Sequence, residues 1–240
     1  MNFSLKSFFV YIILTIFLII SCQKILFNED ESTREILLEN FHAVKISGIY
    51  NFVLIQDSTN RLVITGKNDI HSIDALIKDD TLIIDDHKKI SFNPNKNTLV
   101  LHFSNLKYID SSDPINLSNR DTIKADQLSI VAVGEIEEVR LVFKCNNFFA
   151  VSNSNTLGYF HFIGKTESCW IWNRYGSCMY ADSLLCKDAA IYNESVGDVN
   201  INASDNIEAF IRGPGNICYY GNPVINLVEK RGTGKIIRLD

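Results

Sequence analysis

The chain has 240 residues, of which 46% are hydrophobic and 21% are charged. This composition excludes an intrinsically disordered protein, because such chains combine low hydrophobicity with high net charge. The 28 acidic residues outnumber the 23 lysines and arginines, and the formal net charge is −5. We therefore expect no nucleic-acid partner, since proteins that bind nucleic acids carry a basic patch.

The N-terminus has the features of an export signal. Residues 8–20 form an almost uninterrupted apolar run after Lys6. The run is shorter than the roughly 20 residues of a membrane-spanning helix and is typical of a signal peptide. Ser21 and Cys22 follow it and resemble the lipobox of bacterial lipoproteins. We predict a signal peptide over residues 1–21 and lipid attachment at Cys22, with an ordinary signal peptide or an N-terminal membrane anchor as the alternatives.

The next segment is polar and leads into a region rich in strand signals. Residues 22–38 are interpreted as a solvated tether between the lipid and a folded domain. No Pro- or Ser-rich linker interrupts the remainder, so we predict one domain over residues 39–240. Residues 71–78 could form one short helix. The strand candidates in the first half are Val44–Ile46, Phe52–Ile55, Leu62–Ile64, Leu82–Ile84 and Leu99–Phe103.

From residue 128 onward the chain repeats itself at a step of 20 residues. One aliphatic position recurs at every step, namely Val131, Val151, Ile171, Ile191 and Ile211. Asn or Gly stands two residues after most of these positions and marks the turn that ends a strand. Each repeat thus contains two or three short strands, which can bury their apolar face only against neighbouring repeats.

This periodicity predicts an all-β fold of stacked coils, a parallel β-helix with about 20 residues in each coil. An antiparallel sandwich or barrel is the alternative, because its strands also recur at intervals of about 8–12 residues. The sandwich gives no reason for like residues to recur every 20 positions, so the periodicity favours the β-helix.

Two motifs at the ends of the predicted domain suggest a known family. The first is Phe-x-x-Val-x-Ile-Ser-Gly, from Phe41 to Gly48, and the second is Gly213-Pro-Gly-Asn-Ile, followed by Gly232-Thr-Gly-Lys-Ile. They resemble the opening and the ending of the head GIN domain, an auto-transporter adhesin family of Bacteroidota lipoproteins. The resemblance covers residues 39–240. It implies a single-stranded, right-handed, β-helix-like solenoid in secreted or lipid-anchored proteins, and it implies no established reaction.

Aromatic residues near the middle of the repeats are candidates for a binding surface. If Ile171 points inward, its neighbours Trp170 and Trp172 point outward. Exposed aromatic residues stack on sugar rings or form protein interfaces. We predict a surface patch of Trp170, Trp172 and Tyr175 that binds a glycan or a protein. A patch covered by a loop or by another copy of the chain is the alternative, and a homo-oligomer would also protect the open ends of a solenoid.

Residues that could carry catalysis or bind metals are scattered. The cysteines after Cys22 are Cys145, Cys169, Cys178, Cys186 and Cys218, an odd number that leaves at least one free thiol in an exported protein. We predict that Cys169 and Cys178 are buried thiols on inward positions, and a disulfide between neighbouring coils stays open. The spacings match no zinc motif and the five histidines lie far apart, so we expect no metal and no cofactor. The acidic pairs Asp79-Asp80 and Asp85-Asp86 and the acids at 110 and 113 are predicted to lie in turns.

The sequence thus favours a non-catalytic lipoprotein of the bacterial cell envelope, anchored to the outer membrane through its lipid on the surface or the periplasmic face. We expect an adhesin or a surface-binding module of unknown ligand. A periplasmic scaffold or sensor partner is the alternative. A polysaccharide-active β-helix enzyme is the third hypothesis, and it would need carboxylates that converge in one groove.

Overall fold

The computed structural model of the protein describes residues 31–67, 70–87, 97–134, 138–153 and 155–240. The predicted signal peptide and Cys22 lie outside these described residues. Within the described part, the one helical element is a single 3-10 turn at Ile70–Ser72. No helix there is long and apolar enough to cross a membrane.

The described part of the chain contains 19 strands. In chain order they are β1 (Ser32–Leu37), β2 (Ala43–Ile46), β3 (Tyr50–Gln56), β4 (Arg61–Gly66), β5 (Ile73–Lys78), β6 (Thr81–Asp86), β7 (Asn97–Phe103), β8 (Tyr108–Ser111), β9 (Ile115–Asn119), β10 (Ile123–Lys124), β11 (Gln127–Ala132), β12 (Glu138–Lys144), β13 (Asn147–Ser152), β14 (Leu157–Lys165), β15 (Ser168–Ser195), β16 (Val199–Ile211), β17 (Ile217–Tyr220), β18 (Val224–Lys230) and β19 (Ile236–Arg238).

Most strands pair in parallel with strands about one coil away, which makes the fold a β-solenoid. Side A of the coils consists of β6, β2, β8, β11, β13, both ends of β15, the end of β16, and β18. Side B consists of β7, β3, β9, β10, β12, β14, the middle of β15, the start of β16, β17, and β19. The predicted all-β solenoid is confirmed.

The N-terminal end departs from the simple repeat. β2 lies between β6 and β8, and β3 lies between β7 and β9. The coil of residues 43–56 is therefore inserted between coils that come later in the chain. Beyond it the pairing becomes antiparallel, since β4 joins β7 to β1 and β5 pairs with β6. The outermost strands β1 and β5 are short and carry charged residues, which disfavours pairing with another chain.

Two expectations for this region differ from the structure. Residues 32–37, which we assigned to the polar tether, form β1, and Ile36 packs against the core. The predicted helix over residues 71–78 is wrong, because Ile73–Lys78 forms β5. Its more buried residues alternate with exposed ones at a period of two, which suits a strand paired to β6.

The structure also corrects the register of the 20-residue repeat. Ala150 pairs with both Ile130 and Ile171, so Val151 pairs with Trp172 and lies on the outer side. Val131 lies outside as well, whereas Ile171 is fully buried. The step from one coil to the next is 21 residues at this point. Ala132 pairs with Ser152 and Glu138 pairs with Tyr159, so the later coil has one more residue between these paired positions than the earlier coil.

The core is a stack of inward-facing side chains from both sides. On side A the buried ladder consists of Leu82, Val44, Ile109, Ile130, Ala150, Ile171, Ile191 and Ala209. Three phenylalanines fill the interior of the middle coils, with ring centroids 4.3 Å apart for Phe143 and Phe148 and 4.7 Å apart for Phe148 and Phe162. Each fully buried large apolar side chain stabilises the fold by about 1.5–3 kcal/mol, so the ladder fixes which residues face outward.

Candidate functional site

A buried polar ladder fixes the turn that follows side A. Asn173 and Asn193 are fully buried at the end of that side. The Nδ2 atom of Asn173 donates a hydrogen bond to the carbonyl oxygen of Ser177 at 3.0 Å. The hydroxyl of Ser177 donates to Oδ1 of Asn173 at 2.6 Å, and the hydroxyl of Ser195 donates to the carbonyl of Ser177 at 2.9 Å. These bonds satisfy buried polar groups and hold the turn in one conformation.

Immediately before this turn, aromatic side chains from neighbouring coils meet on the outer surface of side A. We call this set the outer aromatic ladder, and its members are Phe149, Trp170, Trp172, Tyr192 and Phe210. All five are partly exposed. They face outward because the residues that alternate with them, such as Cys169 and Ile171, are buried in the core.

The rings of the outer aromatic ladder form a continuous set of contacts. The centroids of Trp170 and Trp172 lie 5.7 Å apart with their planes nearly perpendicular, and Trp170 lies 5.5 Å from Tyr192. Tyr192 and Phe210 stack face to face, with centroids 4.0 Å apart. Phe149 lies 6.3 Å from Trp170 and extends the set by another coil. Such ring pairs add about 0.5–1.5 kcal/mol each beyond area burial, so the surface is held in a defined shape.

An arginine–glutamate network borders the ladder. The guanidinium carbon of Arg174 lies 3.5 Å from the centroid of the Trp172 ring, which is a cation–π contact. Nε of Arg174 lies 3.2 Å from Glu194, and Nη1 of Arg212 lies 2.7 Å from the same carboxylate. Arg212 also pairs with Glu229 at 2.8 Å. The network joins successive coils beside the aromatic rings.

The charge of Glu194 is maintained by these arginines. Burial alone raises the pKa of Glu194, but the hydrogen bond from Arg212 and the charges of Arg174 and Arg212 lower it overall. The carboxylate is therefore ionised at neutral pH and holds both guanidinium groups beside the ladder.

Of the residues predicted from sequence, Trp170 and Trp172 lie together, whereas Tyr175 lies apart from them in the turn. Tyr175 has a positive φ of 63° and is 54% exposed, and its ring contacts none of the ladder rings among the described residues. Sequence reasoning missed Tyr192 and Arg174. Tyr192 could have been found, because it lies one 20-residue step after Trp172 and flanks the buried Ile191 in the same way.

The comparisons with known proteins agree with this architecture. A family model described as "Putative auto-transporter adhesin, head GIN domain" matches residues 40–223. The chain belongs to this family. No curated protein matches the head GIN chain in sequence.

Several solved structures share its fold. A structure described as a putative adhesin from Bacteroides fragilis has a TM-score of 0.77 and 23% identity, and the match covers 88% of this chain and 97% of that one. A putative adhesin from Parabacteroides merdae has a TM-score of 0.60 at 20% identity, covering 89% and 98%. A structure described as a putative lipid binding protein from Parabacteroides distasonis has a TM-score of 0.67 at 17% identity, also covering 89% and 98%.

The glycine pairs of the head GIN motif are explained by the distance between coils. A Cβ atom on Gly215 would lie 2.1 Å from the carbonyl oxygen of Gly197, and one on Gly234 would lie 2.1 Å from the carbonyl oxygen of Gly215. The amide of Gly234 also donates to the carbonyl oxygen of Gly213 at 3.2 Å. Larger residues would separate the turns of the last coils, so the motif belongs to the scaffold that positions the ladder.

No disulfide joins the five cysteines of the head GIN domain that the structure describes. Cys169 is buried as predicted, and burial raises its pKa well above the ordinary value. Burial likewise raises the pKa of Cys186 to about 12. The prediction for Cys178 is wrong, because this residue alternates with buried Ser177 and Met179 and faces outward.

Of the acidic residues singled out from the sequence, Asp79, Asp80 and Asp113 support turns of the backbone. The prediction is wrong for Asp85 and Asp86, which end β6, and for Asp110, which lies within β8. Asp79 and Asp80 have positive φ values of 48° and 57° and form the turn between β5 and β6. The carboxylate of Asp113 accepts hydrogen bonds of 2.9 Å from the hydroxyl of Ser47 and from the amide of Gly48. Among the residues that the structure describes, no three or more His, Cys, Asp or Glu side chains are grouped so that they could hold a metal ion.

Proposed function

We propose that this head GIN domain is a non-catalytic adhesin of the cell envelope that binds a glycan through the outer aromatic ladder. The observation that carries the proposal is the run of five contacting, partly exposed aromatic side chains across neighbouring coils. Tryptophan and tyrosine rings provide large, rigid apolar faces, and exposed groups of them mark interaction surfaces. Sugar rings also present an apolar face, on which such rings can stack.

The arginine–glutamate network supports binding without large rearrangement. Arg174 covers one face of Trp172, and Glu194 ties Arg174 to Arg212 on the next coil. A surface whose side chains are already ordered loses less conformational entropy when a ligand binds. The guanidinium groups at the border also provide hydrogen-bond donors for ligand oxygen atoms.

Two observations support a place in the cell envelope. The chain belongs to a family described as auto-transporter adhesins, and its N-terminal sequence ends an apolar run at Ser21-Cys22. We propose that Cys22 carries the lipid and anchors the protein to the outer membrane. Cys22→Ala should then move the full-length protein out of the membrane fraction, and retention of the unprocessed chain with residues 1–21 would indicate a membrane anchor instead.

Protease shaving of intact cells tests the adhesin proposal. The full-length chain is expressed with an epitope after Asp240, and a soluble periplasmic protein serves as the leakage control. Loss of the epitope while the periplasmic control survives is expected. Protection of the epitope would contradict a surface adhesin and would favour a periplasmic scaffold or sensor partner.

A glycan array tests the binding surface. Cells that carry the wild-type chain are compared with cells that carry Trp170→Ala/Trp172→Ala, and with Tyr159→Ala as the matched control. Tyr159 is 54% exposed on side B, far along the coil from the ladder. We expect retained glycans to be lost only in the tryptophan variant. Equal loss in both variants would contradict the proposal, and release of shortened glycans would indicate an enzyme.

The last coil is a candidate contact between copies of the chain. Val224, Leu227 and Val228 on β18 are each about half exposed or more, with exposed fractions of 69%, 46% and 51%. Exposed apolar residues on a terminal coil favour self-association. We propose a homo-oligomer through this coil, and light scattering of wild type and Val224→Lys checks it. A monomeric wild type would contradict it.

A further inference from the structure

A second surface of the solenoid carries three lysines in register. Lys124 pairs with Lys144, and Lys144 pairs with Lys165, in the parallel ladder at the end of side B. We call these three residues the lysine row. All three side chains are exposed. Neighbouring strands are about 4.8 Å apart, so the row spans about 10 Å along the solenoid.

The lysine row lines a cleft of about 1000 Å³ at the corner that leads from side B to side A. Lys107 adds a fourth cation to the lining, and Gln56 and Asn146 add amide groups. The side chain of Gln56 fixes the first position of the row, because it donates to the carbonyl of Lys124 and accepts from its amide, both at 2.9 Å. The cleft is thus a shaped surface whose lining residues are mostly polar, and the backbone of Lys124 is held in place within it.

The four lysines of this cleft outnumber its two acids, Asp126 and Glu167, so the lining carries an excess of positive charge. Within the described residues, no member of the lysine row forms an ion pair, whereas Glu167 in the cleft is paired with Lys187. Asp126, the other acid of the lining, accepts a hydrogen bond of 2.6 Å from Asn146. Like charges opposite each other on adjacent strands destabilise a sheet. An anionic partner would relieve the repulsion between the neighbouring ammonium groups of the lysine row.

We propose that the lysine-row cleft binds an acidic polysaccharide, a linear carbohydrate chain that carries carboxylate or sulfate groups. Acidic groups along such a chain would face the ammonium groups of successive coils. The second N–H of the Asn146 side chain and its carbonyl oxygen remain available for the hydroxyls of the chain. The cleft lies at a different corner from the outer aromatic ladder, so this site is additional to the one proposed above.

Other polyanions fit the cleft less well. Proteins that bind single-stranded nucleic acids stack the bases on aromatic side chains, and the described residues that line the cleft include no aromatic residue. A bilayer surface is broad and flat, whereas the lysines face a concave space. The row also follows a single line, which suits a linear chain.

Affinity electrophoresis and calorimetry of the full chain test the proposal with polygalacturonate and dextran sulfate as ligands, and with neutral dextran as the negative control. The test variant is Lys124→Gln/Lys144→Gln/Lys165→Gln. The matched control is Lys78→Gln/Lys230→Gln/Lys235→Gln, which removes the same charge from exposed positions outside the cleft.

We expect the wild type to bind at least one acidic polysaccharide and not neutral dextran, and to bind more weakly as salt shortens the Debye length. The row variant should bind about tenfold more weakly or worse, while the control variant and Trp170→Ala/Trp172→Ala keep wild-type binding. The row variant should also melt no lower than wild type, because it relieves repulsion between like charges.

Several results would overturn the proposal. These are binding of neutral dextran as strong as that of the acidic chains, equal loss of binding in the row and control variants, and preferential binding of oligothymidylate or of phosphatidylglycerol vesicles. Loss of acidic-polysaccharide binding in the tryptophan variant alone would place that binding on the ladder instead. If the outer aromatic ladder binds no glycan, the binding of acidic polysaccharides to the lysine-row cleft is still expected. The two proposals are therefore tested separately.

Discussion

The side chains of Asn173 and Asn193 form a hydrogen bond between adjacent coils, with 3.2 Å between Nδ2 of Asn173 and Oδ1 of Asn193. Neither residue is accessible to solvent. The bond links the turns of two neighbouring coils at the same position of the repeat. It therefore ties coil-to-coil stacking to the conformation of the turns that carry Arg174 and Glu194.

Replacing Asn193 by alanine should destabilise the solenoid. The Asn193 amide donates to the carbonyl oxygens of Gly197 and Asn216 at 3.1 and 3.0 Å, and its oxygen accepts from the amide of Ser195 at 3.1 Å. Asn193→Ala leaves buried groups unpaired, so we expect the free energy of unfolding to fall by about 2–3 kcal/mol. Urea denaturation checks this value.

The matched control for this change is Asn200→Ala. Asn200 lies on the outer side of β16 and is partly exposed. Surface substitutions of this kind change stability by about 0.5 kcal/mol or less. Equal destabilisation by both substitutions would show that the buried hydrogen bonds of Asn193 contribute no more to stability than a surface asparagine does.

A pair of aliphatic substitutions tests the corrected register. Ile171 is fully buried and pairs with Ala150, whereas Val151 pairs with Trp172 on the outer side. Ile171→Ala should lower the free energy of unfolding by about 2–5 kcal/mol, because it leaves a cavity in the core. Val151→Ala should cost less than about 1 kcal/mol. Denaturation curves that show similar costs would contradict the register.

The same two residues show how far the sequence can predict this fold. The repeat predicts stacked coils because like residues must lie over like, and the strands at residues 44–46 and 99–103 follow from alternation alone. A fixed step of 20 nevertheless places Val151 under Ile171. One added residue in a turn shifts the following strand by one position and moves every side chain to the opposite face. Turn length depends on local backbone geometry, which periodicity does not encode.

The candidate site could be predicted only in part for a similar reason. Alternation around Ile171 places Trp170 and Trp172 outside, as the structure shows. The position of Tyr175 depends on the left-handed backbone conformation at that residue in the turn. The contact of Arg174 with Trp172 depends on the side-chain conformation that Arg174 adopts when it pairs with Glu194 on the next coil. Contacts between coils can be predicted only when the register of the strands is known, and a single sequence leaves that register uncertain by one residue.

Thiol reactivity should distinguish Cys178 from the other described cysteines. Cys178 is partly exposed, whereas Cys145, Cys169, Cys186 and Cys218 are buried. Burial raises the pKa of Cys169 and Cys186, which keeps these thiols protonated and unreactive at pH 8. We expect iodoacetamide to modify Cys178 first in the native protein, as measured by mass spectrometry of its peptides.

Two controls make the thiol prediction specific. Cys178→Ser should remove the fast phase of modification without affecting the fold. Unfolding in urea should expose all five thiols to reagent at similar rates. Fast native modification of Cys169 would contradict the inward position assigned to that residue.

The ion pairs of Glu194 should make part of the stability dependent on pH. The pKa of Glu194 in the folded chain lies below its ordinary value of 4.5, since the arginine contacts outweigh the opposing effect of burial. Its contribution is therefore fully present above about pH 4.5. It is lost as the pH falls through the lowered pKa, because protonation then removes the attraction to Arg174 and Arg212.

Glu194→Gln should lower the free energy of unfolding by about 1 kcal/mol at pH 7, a modest value because the pairs are partly solvated. The difference between wild type and variant should shrink as the pH falls below 4.5, and urea denaturation at a series of pH values measures it. The control is Glu208→Gln, because Glu208 is an exposed residue of β16. Its free energy of unfolding should differ from that of the wild type by less than about 0.5 kcal/mol at every pH. A Glu194→Gln difference that is unchanged between pH 7 and pH 3 would mean that the carboxylate stabilises the ladder border by packing rather than by charge.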